Sequence, residues 1–171
     1  KKAFMRISHI DLWHVQVPLH GTFYPSWIPG FPQTENRFTL IRLRTDDGLE
    51  GFSAGPAMGH ERQGLGSLLG PYLLGERADD LVTIRQRVRE MGYLGVRLGW
   101  IEAACWDLIG KARTLPVWRL LAPDAPTTGD VKLYLSTGQV RAGPEHARVI
   151  EAALAQGFDT VKLRVHSPTL E

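Results

Sequence analysis

Apolar and polar residues alternate along three segments in the first third of the chain, which predicts β-strands. In "RISHIDLWHVQVPL" (6–19), Trp13, Val15 and Val17 fall at alternate positions. The second strand is predicted over 37–45 and the third over 49–57, with the turn "DDG" (46–48) between them. Glycine at the end of such a turn suits a positive φ. The pattern therefore predicts an antiparallel three-stranded meander.

A segment rich in proline and aromatic residues interrupts this pattern. Residues 18–32 contain four of the chain's 11 prolines, together with Phe23, Tyr24, Trp27 and Phe31. Long aromatic loops in compact domains commonly serve as lids or binding loops. We therefore expect residues 20–33 to form a functional loop.

The middle of the chain changes to a helical period. Leu81, Ile84, Val88 and Met91 form one stripe behind a predicted N-cap at Asp79 or Asp80. A second stripe has the spacing i, i+3, i+4, i+7, i+8, i+11 and stops before Pro116. Its members are Ile101, Ala104, Cys105, Leu108, Ile109 and Ala112.

The loop "LAPDAPTTGD" (121–130) marks a change of rhythm, and we place a domain boundary there. It divides the chain into residues 5–125 and residues 126–171. After it come a predicted strand (131–136), a helix (143–157) that has Pro144 in its first turn and Gly157 as its stop, and a second strand (159–165). This order predicts one βαβ unit with adjacent parallel strands and a right-handed crossover.

The last predicted strand carries basic residues on one face. Lys162, Arg164 and His166 alternate with apolar residues. In a barrel of alternating strands and helices, inward side chains near the strand C-termini face the active site, where buried cations need an anionic partner. A solvated edge strand would show the same pattern. The alternation alone leaves both interpretations open.

Composition excludes several classes of protein. The net charge of +2 over 171 residues is too small to indicate nucleic-acid or membrane binding. The histidines show no metal-ligand spacing, so we do not expect zinc. A single cysteine, Cys105, fits a reducing cytoplasm, and its place on the apolar stripe favours a core role over a nucleophilic one.

The segment "IEAACWDLIGKARTLPVWRLL" (101–121) resembles the signature of the enolase superfamily, in the branch of mandelate racemase and muconate lactonizing enzyme. The agreement in element order extends from about Arg6 to Val165. The resemblance implies an α+β capping domain followed by a modified (β/α) TIM-type barrel, of which only the first βαβ unit is present. The matching residues are Ala103, Ala104, Trp106, Asp107, Leu108, Gly110, Lys111, Pro116, Leu120 and Leu121.

The resemblance also implies a chemistry. Such enzymes hold Mg²⁺ through acidic residues on the third, fourth and fifth barrel strands, which we expect downstream of this chain. The metal stabilises the enolate formed when a base removes the proton α to a carboxylate. An acid-sugar dehydratase (a lyase) or a racemase (an isomerase) is the leading expectation. The alternatives are a muconate-type cycloisomerase or epimerase, which would carry a lysine on the sixth strand, and a non-catalytic binding or assembly module.

In this family the base is usually the second lysine of a Lys-x-Lys motif on the second barrel strand. Lys162 matches the first lysine, and Arg164 stands at the second position, which departs from the pattern. Arginine stays protonated and is a poor base. Either Lys162 is the base, or base chemistry lies on the opposite side of the barrel, where a His–Asp pair is usual. In both cases we expect Arg164 to hold an anion, either the substrate carboxylate or a metal ligand, with Lys162 as its companion.

Five further residues are candidates for substrate binding by their position. Ser136 ends the first barrel strand, and His166 follows the second. The two expected cap loops, residues 20–33 and 53–61, supply the others. We read Trp106 and Asp107 as structural. The loop candidates are Tyr24, Trp27 and His60.

We expect a small carboxylate substrate and further copies of the same chain as partners, and from the composition no nucleic acid and no membrane. We expect a cytoplasmic protein. Since a (β/α)₈ barrel needs at least about 200 residues, we expect this chain to be part of a longer enzyme and to be inactive alone.

Overall fold

The computed structural model describes residues 5–28, 30–57, 62–126 and 131–164, except the side chains of residues 62 and 63. The chain forms two compact units, Lys1–Gln16 with Arg37–Ala125 and Val17–Asn36 with Pro126–Glu171. The predicted aromatic loop is thus grouped with the βαβ segment and not with the rest of the first 125 residues. His60 and His166 lie outside the described residues.

The first unit is built on the predicted meander. The strands are β1 (Ile7–Phe23), β2 (Gln33–Thr45) and β3 (Glu50–Pro56), in the order β1-β2-β3. The end of β1 and the start of β2 belong to the second unit. In the antiparallel register of β2 and β3, Arg42 lies opposite Phe52. Gly48 has a φ of +87° in the turn, and its amide donates to the Thr45 carbonyl at 3.0 Å. The meander is confirmed. Its first two strands reach further into the predicted loop than the sequence indicated.

The described residues of the first unit also form four helices. They are α1 (Arg62–Leu73), α2 (Leu81–Gly92), α3 (Ile101–Arg113) and the short α4 (Val117–Leu121). The predicted cap of α2 is Asp80, whose carboxylate accepts from the Thr83 amide at 3.2 Å. The fully buried core includes Ile7, Ile41, Leu43, Leu65, Leu69, Leu73, Ile84, Met91, Ile101, Ala104, Cys105 and Leu108.

Helix α3 packs unusually close to β3 because β3 carries glycines at the contact. A Cβ atom on Gly51 would lie 2.3 Å from the Ala104 carbonyl oxygen. One on Gly55 would lie 2.2 Å from the Trp100 ring. A side chain at Gly51 would have to displace the backbone of α3, and one at Gly55 would have to displace the Trp100 ring.

The signature residues Asp107 and Lys111 hold the same two elements together. The Asp107 carboxylate accepts from the Phe52 amide at 2.9 Å and from Lys111 Nζ at 2.8 Å. Lys111 Nζ also donates to the Glu50 carbonyl at 2.7 Å. Asp107 thus joins α3 to β3, in agreement with its structural interpretation. Trp106, half-buried, packs against the core and donates to the Glu102 carboxylate at 3.0 Å.

The end of α3 is a left-handed turn. Thr114 has φ 51° and ψ 41°, and the Leu115 amide donates to the Gly110 carbonyl at 2.9 Å. This is the bond pattern of a Schellman cap, with threonine where glycine is usual. Pro116 then caps α4, which the sequence did not predict.

The second unit contains the predicted βαβ segment. It consists of β4 (Leu135–Ser136), α5 (Gly143–Ala155) and β5 (Val161–Lys162), with β4 and β5 parallel. Both strands are shorter than predicted, and a ladder of only two strands is marginal by itself. Pro144 lies in the first turn of α5, and Gly157 follows its end with a φ of +87°. No helix in the described ranges is long and apolar enough to cross a membrane.

Candidate functional site

Ser136 and Lys162 lie side by side at the ends of β4 and β5. The parallel register pairs Ser136 with Lys162 and Leu135 with Val161. Residues paired in this way project to the same face of the ladder. Both polar side chains are exposed. The structure thus brings together the hydroxyl and the ammonium that the sequence assigned to the inward face.

Thr137, which sequence reasoning missed, fixes the backbone at this point. Its side chain is buried, and its hydroxyl donates to the Lys162 carbonyl at 3.0 Å. The Arg164 amide donates to the same hydroxyl oxygen at 3.2 Å. One threonine therefore continues the pairing of the two segments beyond the last ladder residues. The signal in the sequence was the position of Thr137, a β-branched residue with a hydroxyl group, directly after Ser136.

Arg164 does not extend into solvent. Its side chain is half-buried, and the guanidinium carbon lies 5.7 Å from the centre of the Trp27 ring. Its Nε atom is buried and has no hydrogen-bond partner in the described part of the chain. This is a cation–π contact between the aromatic loop and the second barrel strand.

The two aromatic candidates of the loop differ in their surroundings. The Trp27 ring packs against Phe23, with centroids 5.9 Å apart, and still exposes 59% of its surface. Tyr24 exposes 55% of its surface. Although it is as exposed as Tyr24, Trp27 thus contacts one of the predicted cationic residues, Arg164.

A pocket of about 460 Å³ lies within the second unit, between the end of β1, the start of β2 and the segment after β4. Its volume is in the range of small-molecule sites. It is lined by Phe23, Thr22, the acidic residue Glu35 and three residues with amide side chains that sequence reasoning did not single out. These amides belong to Gln33, Asn36 and Gln139.

The charges around these residues fit an anion and not a metal ion. Ser136, Lys162 and Arg164 offer a hydroxyl, an ammonium and a guanidinium, whereas Mg²⁺ requires carboxylate or carbonyl oxygens. Among the described residues, no group of three or more His, Cys, Asp or Glu side chains could hold a metal. The site as it stands in these residues does not accommodate magnesium.

Two other polar groups stand apart from this site. Lys132 pairs with Asp159 at 2.8 Å, on segments that precede β4 and β5, and this hydrogen bond lowers the pKa of Asp159. Burial raises the pKa of the Cys105 thiol to about 12, so it remains protonated in the core of the first unit. A raised pKa is the opposite of what a nucleophilic cysteine needs.

The chain is similar to several characterised enzymes. It is 32% identical to a cis-3-hydroxy-L-proline dehydratase of Roseibium aggregatum, over 94% of this chain and 45% of that protein. It is 31% identical to a D-galactonate dehydratase of Klebsiella pneumoniae, over 74% of this chain and 35% of that protein. The chain thus spans less than half the length of these relatives.

The fold has well-matched solved counterparts. One is the L-talarate/galactarate dehydratase of Salmonella typhimurium, solved with Mg, which superimposes with a TM-score of 0.76 at 23% identity. That match covers 96% of this chain and 45% of that one. The architecture of a capping domain followed by the start of a barrel is confirmed by this likeness.

Residues 16–122 match the family model described as mandelate racemase/muconate lactonizing enzyme, N-terminal domain. This stretch is more than half of the chain and contains the predicted signature with its Asp107–Lys111 pair. The chain therefore belongs to the mandelate racemase/muconate lactonizing enzyme branch of the enolase superfamily.

Proposed function

We propose that this chain forms the capping domain and first barrel segment of an enzyme that removes the proton α to a carboxylate, of the acid-sugar dehydratase or racemase type. The observation that carries the proposal is the grouping of Ser136, Lys162 and Arg164 where β4 and β5 end. The relatives at 32% and 31% identity are both dehydratases. They favour dehydration of a hydroxy carboxylate within that class.

Arg164 is assigned to binding the substrate carboxylate. A guanidinium can bind a carboxylate through two parallel hydrogen bonds, and its permanent charge suits an anion site. Its buried Nε atom has no partner among the described residues, so an anion would satisfy a donor that is otherwise left unpaired.

Lys162 is assigned to the proton transfer itself. It lies two residues before Arg164, and no described acidic side chain forms an ion pair with it. A positioned lysine can act as the group that removes the α-proton. Ser136, its neighbour across the ladder, can donate to the substrate carboxylate.

The amide-lined pocket is assigned to the hydroxyl-bearing part of the substrate. Amide side chains both donate and accept hydrogen bonds, which matches the needs of hydroxyl groups. Since magnesium ligands are absent from the described residues, we place them in the part of the relatives' length that this chain does not span. We also propose that the enzyme is cytoplasmic, assembles as a homo-oligomer and binds neither nucleic acid nor membrane; the net charge of +2 and the single cysteine support the compartment and the excluded partners.

The test uses the natural polypeptide that carries this chain. It is incubated in D₂O with hydroxyprolines, acid sugars and N-acylated amino acids, and α-proton exchange and loss of water are followed by NMR, with and without Mg²⁺. Lys162→Met should lower the exchange rate by about 10²–10⁴-fold. Arg164→Met should mainly raise KM, by roughly 10–100-fold.

Matched controls come from the same unit. Lys132→Met removes a lysine that pairs with Asp159, and Arg148→Met removes an exposed arginine on α5. Both should leave the kinetics unchanged. Exchange that persists in Lys162→Met would move the base to the opposite side of the barrel. A protein that binds these acids but exchanges no proton would instead be a non-catalytic module.

A further inference from the structure

A turn of the aromatic loop is docked on the residue that follows Thr137. The Ser26 amide donates to the Gly138 carbonyl at 3.1 Å. The Phe23 ring lies so close to Gly138 that a Cβ atom there would be 2.6 Å from it. Pro25, between these two contacts, is fully buried. Residues 23–27 are therefore held against the end of the first barrel strand by backbone and side-chain contacts.

The same turn provides the surface on which Arg164 rests. Trp27 lies under the guanidinium, with the guanidinium carbon 5.7 Å from the ring centre, and Phe23 packs against the Trp27 ring from its side. The backbone of Arg164 is fixed separately, by the hydrogen bond that its amide donates to the Thr137 hydroxyl. Backbone and side chain of this arginine are thus held by two different segments.

We propose that Trp27 is a positioning residue for Arg164 and not a substrate contact. An arginine side chain has many rotamers, and an aromatic ring under the guanidinium restricts them while leaving the donor edge free for an anion. The Arg164 guanidinium is then oriented only when residues 23–27 are docked. This inference rests on the proposed function, in which Arg164 binds the substrate carboxylate.

The contact itself is tested without any substrate. The side-chain NMR signals of Arg164 in the natural polypeptide are assigned by their loss in Arg164→Met. The Trp27 ring current should shift them upfield. Trp27→Leu should abolish that shift and Trp27→Phe should keep part of it. The control is Trp13→Leu, because Trp13 lies under Arg42 in the first unit, at 5.2 Å. It should move the Arg42 signals only.

Kinetics then separate positioning from direct contact with substrate. Trp27→Leu should raise KM roughly three- to tenfold, the size expected for one partly exposed cation–π contact, with kcat little changed. In an Arg164→Met background the same change should have almost no effect, because the residue that Trp27 orients is gone. An equal rise of KM in both backgrounds would overturn the inference, since the ring would then touch substrate directly.

Two further outcomes are decisive. Arg164 signals that do not move in Trp27→Leu would refute the contact. If they do move, and Arg164→Met leaves KM unchanged, the positioning contact stands and the assignment of Arg164 to substrate binding fails. Trp27→Phe retains an aromatic ring, so the comparison survives if the leucine variant does not fold.

Discussion

Replacing Gly51 by alanine tests how closely α3 packs on β3. The added methyl carbon would lie 2.3 Å from the Ala104 carbonyl oxygen and 2.6 Å from Leu108 Cγ. Ordinary van der Waals contact begins at 3.4 Å. Since one neighbour is backbone, no rotamer change relieves the overlap, and the helix must move by about 1 Å.

The expected cost follows from that displacement. Overpacking of a dense core costs about 1–3 kcal/mol. Moving α3 away from β3 also lengthens the bond from the Phe52 amide to Asp107, now 2.9 Å, and a net hydrogen bond is worth about 1 kcal/mol. We expect a total loss near 3 kcal/mol. For a chain of this size that lowers Tm by about 6–12 °C.

The assay is a thermal melt followed by circular dichroism, with Gly66→Ala as the matched control. Gly66 lies exposed in α1, and a Cβ atom there would meet nothing within 4 Å. The same added methyl should therefore stabilise the helix by about 0.5–1 kcal/mol. A Gly51→Ala protein that melts within about 2 °C of its parent would show that the two elements are not in close contact.

Three further predictions concern the first unit. Thr114→Gly should raise the free energy of unfolding by about 0.5–1 kcal/mol, because glycine adopts the left-handed conformation without strain. The urea midpoint should rise accordingly, and a lower midpoint would contradict the assigned turn. Asp107→Ala should cost about 1–3 kcal/mol because it leaves the Phe52 amide unpaired, whereas Asp159→Ala, which breaks an exposed ion pair, should leave the midpoint nearly unchanged. The Cys105 thiol should react with a thiol reagent only as the protein unfolds. Because its pKa is about 12 when folded and about 8.5 when unfolded, stability should fall as the pH rises above about 8.5, and Cys105→Ala should flatten that fall.

Elements with a regular apolar period were predictable, and those that depend on context were not. The stripes of α2 and α3 were read correctly because each repeats over three turns. Helix α1 was missed, although Leu65, Leu69 and Leu73 share one buried face. Its glycines and Pro71 lower helix propensity. Burial of that leucine face outweighs them, a tertiary effect that local composition does not show.

The candidate site was predictable only along the strand. Alternation placed Lys162 and Arg164 on one face, and the register then set Ser136 beside Lys162. The contact of Arg164 with Trp27 joins residues 137 positions apart, which no local pattern specifies. Thr137 was missed for a similar reason, since its hydroxyl acts on a segment 25 and 27 residues away.

The assignment of Val17–Asn36 to the second unit has a practical consequence for protein engineering. The polypeptide passes between the units three times, after Gln16, after Asn36 and after Ala125. A fragment cut only at the last of these points would retain the hairpin tip, Val17–Asn36, but lose Gly138 and Arg164, which contact Ser26 and Trp27 of that tip. Chimeras that exchange barrels between relatives should therefore transplant the hairpin tip together with the barrel, using all three splice points.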